Sequence, residues 1–580
     1  MTDEKKKKWE EGLLNIGIYL VLFLLMCLCV PALTFLFGGT IGRWMFPVVI
    51  CIAFVLWITV FRATKITFAQ VGMTIGVIAL GLLLSGVIFD ISWDGNTYHK
   101  TAVGLMMDGW NPMDYECMDV LSENQKTQGM AYNAQWINHY ANGGWMMSAV
   151  IAGCLGNIEL GKAINLYSMI AVFCILFYVL KQYISKSWMV LLIAFLAVCN
   201  PITLSQVESF YIDGDLYLFL LLCLIGVVGL ENGVLQKRFC GLFLFSAIAM
   251  CINLKFTGTV YVGCFCISGF VCQMILKLRQ EKFMVHFLKN AVMYLVMAAV
   301  SIGVLGYTSY VSNYLEKGNP LYPLVGEDKV DIMSYSQPNT FAEMSNPEKS
   351  IRSLFGKSAN ISASSMSVPE VKIPFWVSLS EIKSCMNTDT RVAGMGVWFS
   401  GFFLVALVID VLFLWKNRKK RKVEVLLCTA WLCTSLAMFL FVPGGWWMRY
   451  SAHLYFFVIL SMIAVAKWLE GNSNRWKKAI AILLFCVIGI NTACFTLSPA
   501  SAAYKSVSIW KDKGEMTKVQ KSSGQTVTVG LKPTHMTGVL WNLKHWGISY
   551  EVNEAYQEGM IAYNELISWS VSREDIINRQ

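Results

Sequence analysis

Residues Phe68 to Phe89 form a long apolar run, and Asp90-Ile91-Ser92-Trp93-Asp94-Gly95-Asn96-Thr97-Tyr98-His99 follows it without a spacer. A run of about 20 apolar residues is long enough to cross a bilayer as a helix. Two carboxylates, an amide, a phenol and an imidazole are therefore delivered to one membrane surface. Ionisable groups beside lipid are costly to hold, which makes this stretch a candidate site. The plainer reading is a hydrophilic loop that begins where a helix leaves the lipid.

The rest of the chain fits that start. Of its 580 residues 56% are hydrophobic and 14% charged, and the mean hydropathy is +0.54. Such a composition exceeds what a soluble core needs. Apolar runs recur between short polar breaks, the pattern of an all-α polytopic membrane protein. The first run, from Leu13, lacks a small-residue cleavage site and reads as a retained span. The net charge of +10 does not call for nucleic acid, because the basic residues sit in the breaks between spans. That is how cytoplasmic loops are marked. Most of the 18 cysteines lie in apolar runs, where Cys acts as a small hydrophobe. Cys117 and Cys385 stand in polar segments, and a pairing between them is left open.

Lys5 to Lys8 place the N-terminus in the cytoplasm. Spans are expected near 12–36, 44–61, 68–89, 163–181, 187–204, 214–230, 238–254, 257–276, 286–311, 394–415, 423–442, 449–469 and 479–498. With thirteen spans the strongly basic breaks, such as Lys181–Lys186 and Lys416–Lys422, all fall on one side. The opposite side then carries two large loops, 90–162 and 312–392, and the C-terminus. The transmembrane domain is expected over 1–498. The first loop is dense in Trp and Tyr, which suits interfacial helices. Gly143 to Leu155 is apolar but too short to span, so an interfacial or partly inserted helix is expected. The tail, 499–580, is expected as a small extracytoplasmic α/β domain. Thr526–Val529 alternates like a strand, Pro533–Trp546 reads as a helix stopped by Gly547, and Ile548–Val552 as a second strand.

Polar groups collect at the external span ends. They include Asp90, Asp94, His99, Lys100, Asp108, Asp114, His139, Asn142, Glu208, Asp213 and Asp215. Lys255 sits between two spans, and Arg449 begins another. A cation there can hold a phosphate through charge-assisted bonds, or can simply snorkel to the headgroups. No P-loop, dinucleotide turn or zinc spacing is present, which disfavours a cytosolic nucleotide-dependent reaction.

Asp94-x-x-x-Tyr98-His99, directly after a span, resembles the first-loop acidic motif of GT-C membrane glycosyltransferases. Among these it is most like bacterial relatives of protein O-mannosyltransferases and of aminoarabinose–lipid A transferases. Gly109-Trp110-Asn111-Pro112, Asn253-Leu254-Lys255-Phe256-Thr257-Gly258, Gly318-Asn319-Pro320-Leu321-Tyr322-Pro323 and Arg449-Tyr450 are similar to further pieces of that group, in the same order over about residues 68–470. Three features depart from it. Gly95 follows Asp94 where an acid is usual, no proline pair stands near His139, and Ser451 replaces a proline after Arg449-Tyr450. The resemblance implies transfer of a sugar from a polyprenyl-phosphate donor to an extracytoplasmic glycan, lipid or protein at a bacterial plasma membrane. It assigns the base to Asp94 and a second acid or metal ligand to Asp90. Lys255 and Arg449 would bind lipid phosphate, with Tyr98, His99, His139 and Tyr450 as further substrate contacts. No cofactor is identified, and a divalent cation is left open. A flippase or transporter of lipid-linked intermediates, and a polysaccharide polymerase or ligase, are the rival readings.

Overall fold

A computed structural model of the chain describes residues 3–327, 329–359, 369–471, 474–523, 526–553, 560–562 and 568–572. Among them, eleven helices are long and apolar enough to cross a membrane, as expected of a multi-pass membrane protein. The two remaining expected spans are shorter helices of 15 and 12 residues, Met45–Thr59 and Ser187–Val198. The second stops early because Asn200-Pro201 opens a new helix. The Asn200 side chain accepts hydrogen bonds from the backbone N–H groups of Ile202 and Thr203, and proline suits the first turn.

The helices sort into an inner and an outer set. Asp213–Asn232 and Lys7–Leu36 have 83% and 78% of their apolar windows buried within the protein, whereas Phe68–Val87 and Phe283–Leu305 have 17% and 11%. The outer helices keep their apolar faces outward because the surrounding solvent is hydrocarbon. Phe68–Val87 starts with a capping box, in which Thr67 and Gln70 satisfy each other's backbone N–H groups.

At one end of the bundle the basic breaks meet. Arg238 donates to the carbonyls of Val60 and Arg62 at 2.8 and 2.9 Å, Lys277 pairs with Glu231 at 2.8 Å, and Lys181 with Glu10 at 3.7 Å. At the other end converge the C-terminus of Phe68–Val87, the N-terminus of Asp213–Asn232, the Lys255 break and Arg449.

The short apolar segment and the open cysteine pairing both take definite form. Gly143–Gly153 is a helix whose residues are all buried against other helices. Its small residues let neighbouring backbones approach. Cys117 and Cys385 are both free thiols, buried in separate apolar clusters.

The tail begins with an unforeseen helix, Leu497–Ser523, which hydropathy alone did not reveal because its sequence is polar. Next come strands β1 (Val527–Lys532), β2 (Tyr550–Val552), β3 (Met560–Ala562) and β4 (Ser568–Ser572), in the order β2-β1-β4-β3. β1 and β2 are parallel, and helix Val539–His545 connects them. The helix ends two residues before Gly547, whose φ is +71°. Residues 573–580 of the expected tail domain lie outside the described residues.

Candidate active site

Asp94 stands in the helical turn that opens π-helix Gly95–His99, on a first loop that its neighbours hold in place. Asp90, four residues earlier, is fully buried and accepts hydrogen bonds from the backbone N–H groups of Ser92 at 2.7 Å and Phe210 at 3.1 Å. Asn96 donates to the carbonyls of Asp90 and Ser92. A Cβ on Gly95 would lie 1.9 Å from the Asp90 carboxylate, so no side chain fits there. This explains the glycine beside Asp94. Behind the loop is a buried ion cluster. Lys100 and Lys162 each sit 2.7 Å from a different oxygen of Glu159, and Lys100 also donates to Asn96 and to Asn542 of the tail. Breaking such a buried pair by removing one partner would leave an uncompensated charge, which is strongly destabilising.

In front of the loop lies a cavity of about 320 Å³. The first loop contributes Trp93, Asp94, Thr97, Tyr98 and His99, and helix Gln128–His139 contributes Tyr132, Asn133 and Trp136. Tyr211, Asp213 and Lys255 come from span ends. Ser336 and Arg391 come from the second large loop, Trp447, Arg449 and Tyr450 from one helix start, and His535 from the tail.

Arg449 is the centre of charge. It is 4% exposed. Its Nη2 donates to Asp94 Oδ2 at 3.0 Å, and its Nε lies 3.7 Å from Asp213 and 3.6 Å from Asp389. Those last two are charge contacts only; Nε and Nη1 have no hydrogen-bond partner. The guanidinium also lies over the rings of Tyr211 and Trp447, 4.6 Å from each centroid. Lys255 occupies an extended break between helices Lys237–Leu254 and Phe256–Lys277. Its Nζ is 2.6 Å from Asp213 and 3.6 Å from the centre of the Tyr450 ring. Neither cation snorkels to the surface; both are paired inside the protein.

His99 is buried, and its Nδ1 accepts from Trp145 Nε1 at 2.7 Å, which leaves the ring proton on Nε2. Burial, aided by Lys255 and opposed by Asp213, pulls its pKa down to about 3, so the ring is neutral. Burial also holds the phenols of Tyr98 and Tyr211 well above their usual range. For Asp389, burial pushes the carboxyl up, but the Arg449 and Arg391 guanidiniums outweigh it and leave it below its ordinary value.

The structure thus brings together Asp94, Tyr98, His99, Lys255, Arg449 and Tyr450. Asp90 does not line this cavity. His139 lies in a separate cavity of about 190 Å³ with Asp114 and Asn313, and its Nδ1 is 2.9 Å from the Asn313 side chain. The sequence reading did not single out Asp389, Arg391, Trp447 or His535. The Asp389-Thr390-Arg391 charge pair just ahead of a span was the available signal for the first two; His535 had none.

No family model matches this chain, and no curated protein matches it. Among solved structures, it is similar to ArnT from Cupriavidus metallidurans bound to undecaprenyl phosphate, with 9% sequence identity over 84% of this chain and 86% of that one, and a TM-score of 0.44.

Proposed function

We propose that the chain is an inverting membrane glycosyltransferase of the GT-C type, moving a sugar from a polyprenyl-phosphate donor to an acceptor hydroxyl on the extracytoplasmic face of a bacterial plasma membrane. The observation that carries this reading is a carboxylate and a buried guanidinium with free N–H donors facing one cavity at the ends of membrane helices. Asp94 takes the acceptor proton as the acceptor oxygen attacks the anomeric carbon. The bond from that carbon to the phosphate oxygen breaks, and the lipid phosphate leaves with the electron pair. Attack from the face opposite the phosphate inverts the anomeric centre. Arg449 and Lys255 bind the phosphate charge as it develops. Asp213 and Asp389 position the two cations. Tyr98, His99 and Tyr450 line the space for the sugar.

Asp90 is a positioning residue, since its oxygens are engaged by backbone N–H groups. His139 has no contact with this cavity. In this reading the N-terminus is cytoplasmic and the tail extracytoplasmic.

A transporter should carry charged groups near mid-membrane in several spans. Among the described residues the clear example is Asp410, buried in helix Phe399–Asn417 without a hydrogen-bond partner. The polar groups concentrate at one end of the bundle instead, which supports the transferase. The test is sugar release from synthetic polyprenyl-phosphate sugars by the purified protein in nanodiscs. Transfer with inverted anomeric configuration is expected. Failure of the wild type to bind polyprenyl phosphate would reject the reading.

A further inference from the structure

The mouth of the cavity is built by two segments more than 400 residues apart. Trp93 and Tyr132 are 44% and 71% exposed, and the His535 ring stands between them. Its centroid is 5.2 Å from the Trp93 ring and 5.6 Å from the Tyr132 ring. Aromatics that merely anchor a protein in the interface point outward around its rim. These three line one opening.

The tail is fastened so that His535 stays there. Asn133 donates to the His535 carbonyl at 2.9 Å, and the Gly538 N–H donates to the Asn96 carbonyl at 2.8 Å. Thr101 and Thr537 share a hydrogen bond at 2.9 Å. The chain passes so close to helix Gln128–His139 that a Cβ on Gly129 would lie 2.1 Å from the Thr534 carbonyl oxygen. A segment pinned at its backbone presents its imidazole in a fixed place.

We propose that the Trp93, His535 and Tyr132 arc is the acceptor subsite and that it takes a pyranose ring, so that the acceptor is a saccharide. The C–H face of a pyranose is weakly positive and matches the negative face of an aromatic ring. A neutral imidazole offers one donor and one acceptor to sugar hydroxyls, and burial lowers the pKa of His535, which keeps it neutral. Asp94 directly follows Trp93 and lines the same cavity. A ring stacked on Trp93 therefore lies in the same cavity as that carboxylate. Naming this ring the acceptor, and not the donor sugar, rests on the transferase reading.

The test uses the full chain in nanodiscs, with cellobiose and chitobiose as probes and saturation-transfer NMR as readout. At least one disaccharide should show transfer from protein to its ring protons. That signal should fall about tenfold in Tyr132→Ala and in His535→Ala and persist in Tyr132→Phe, which keeps the ring. Tyr132 is exposed, so its loss is not a loss of the fold. No disaccharide signal, or a signal that neither alanine variant lowers, overturns the subsite. So does binding of a Ser/Thr peptide, and not of a saccharide, that both alanine variants abolish. Polyprenyl-phosphate binding by the wild type, measured on the same samples, tests the transferase reading separately. Lipid binding without saccharide binding sinks the subsite alone, and saccharide binding without lipid binding leaves the arc as a sugar site and sinks the transferase.

Discussion

Arg449 and Asp94 are joined by a 3.0 Å salt bridge between residues 355 positions apart. In the proposed reaction one grips the donor phosphate and the other accepts the acceptor proton, so an arriving phosphate competes with the base for the same guanidinium. Arg449→Ala should weaken donor binding by tenfold or more, and Arg449→Lys by less, because lysine keeps the charge but not the planar fork. The measurement is polyprenyl-phosphate affinity of folded, purified variants. Equal affinities in all three proteins would remove Arg449 from the donor site.

Asp94→Asn keeps the size of the side chain and an acceptor for Arg449 but cannot take a proton at neutral pH. Turnover should fall by on the order of 10²-fold or more, the usual weight of a positioned base. Donor affinity should be preserved. Near-normal transfer by this variant would move the base elsewhere, with Asp213 the next carboxylate to replace.

Asp90→Ala should act on stability. It leaves the buried N–H groups of Ser92 and Phe210 without an acceptor, at a cost of about 1–3 kcal/mol each. A lowered melting temperature is expected, with Asp90→Asn milder because its amide oxygen still accepts. An unchanged melting temperature together with lost turnover would make Asp90 part of the chemistry.

Glu208 supplies a pH prediction. It is buried, its Oε2 has no hydrogen-bond partner, and burial raises its pKa to about 7, with Lys162 opposing. A carboxyl whose folded pKa is raised contributes stability that is fully present below its unfolded value, about 4.5, and is lost as the pH rises through about 7. Glu208→Gln should therefore flatten the fall of melting temperature between those values and be the more stable protein at pH 8, by on the order of 1–3 kcal/mol. A variant less stable than wild type at pH 8 would contradict this.

Membrane orientation is open to a direct check. Glu123→Cys, in the first large loop, and Lys419→Cys, among the basic breaks, should label from opposite sides of sealed vesicles. The exposed native thiols Cys51, Cys433 and Cys486 are replaced first. Labelling of both positions from one side would discard the topology.

Much of this could be read from the sequence because it depends on local chemistry. The apolar run ending before Asp90 and the cations Lys255 and Arg449 at helix ends are contiguous signals. Apart from the motif position, nothing in the sequence separates Asp90 from Asp94. What separates them is the Phe210 backbone, 120 residues away, which directs Asp90 inward. His535 was not legible for the same reason, since it matters only through partners brought near by the fold. Polar helix Leu497–Ser523 escaped a reading based on hydropathy.

The fastening of the tail to the first loop also bears on biosynthesis. Lys100 meets Asn542 across 442 residues, and Gly538 meets Asn96 over a similar interval. Such contacts close the longest chain loops and form late. A nascent chain with its membrane helices already inserted still lacks one wall of the cavity and one partner of the buried lysine. Competence of the site is thereby tied to synthesis of the tail, and a ribosome stalled after the last membrane helix leaves an inserted but unfinished protein.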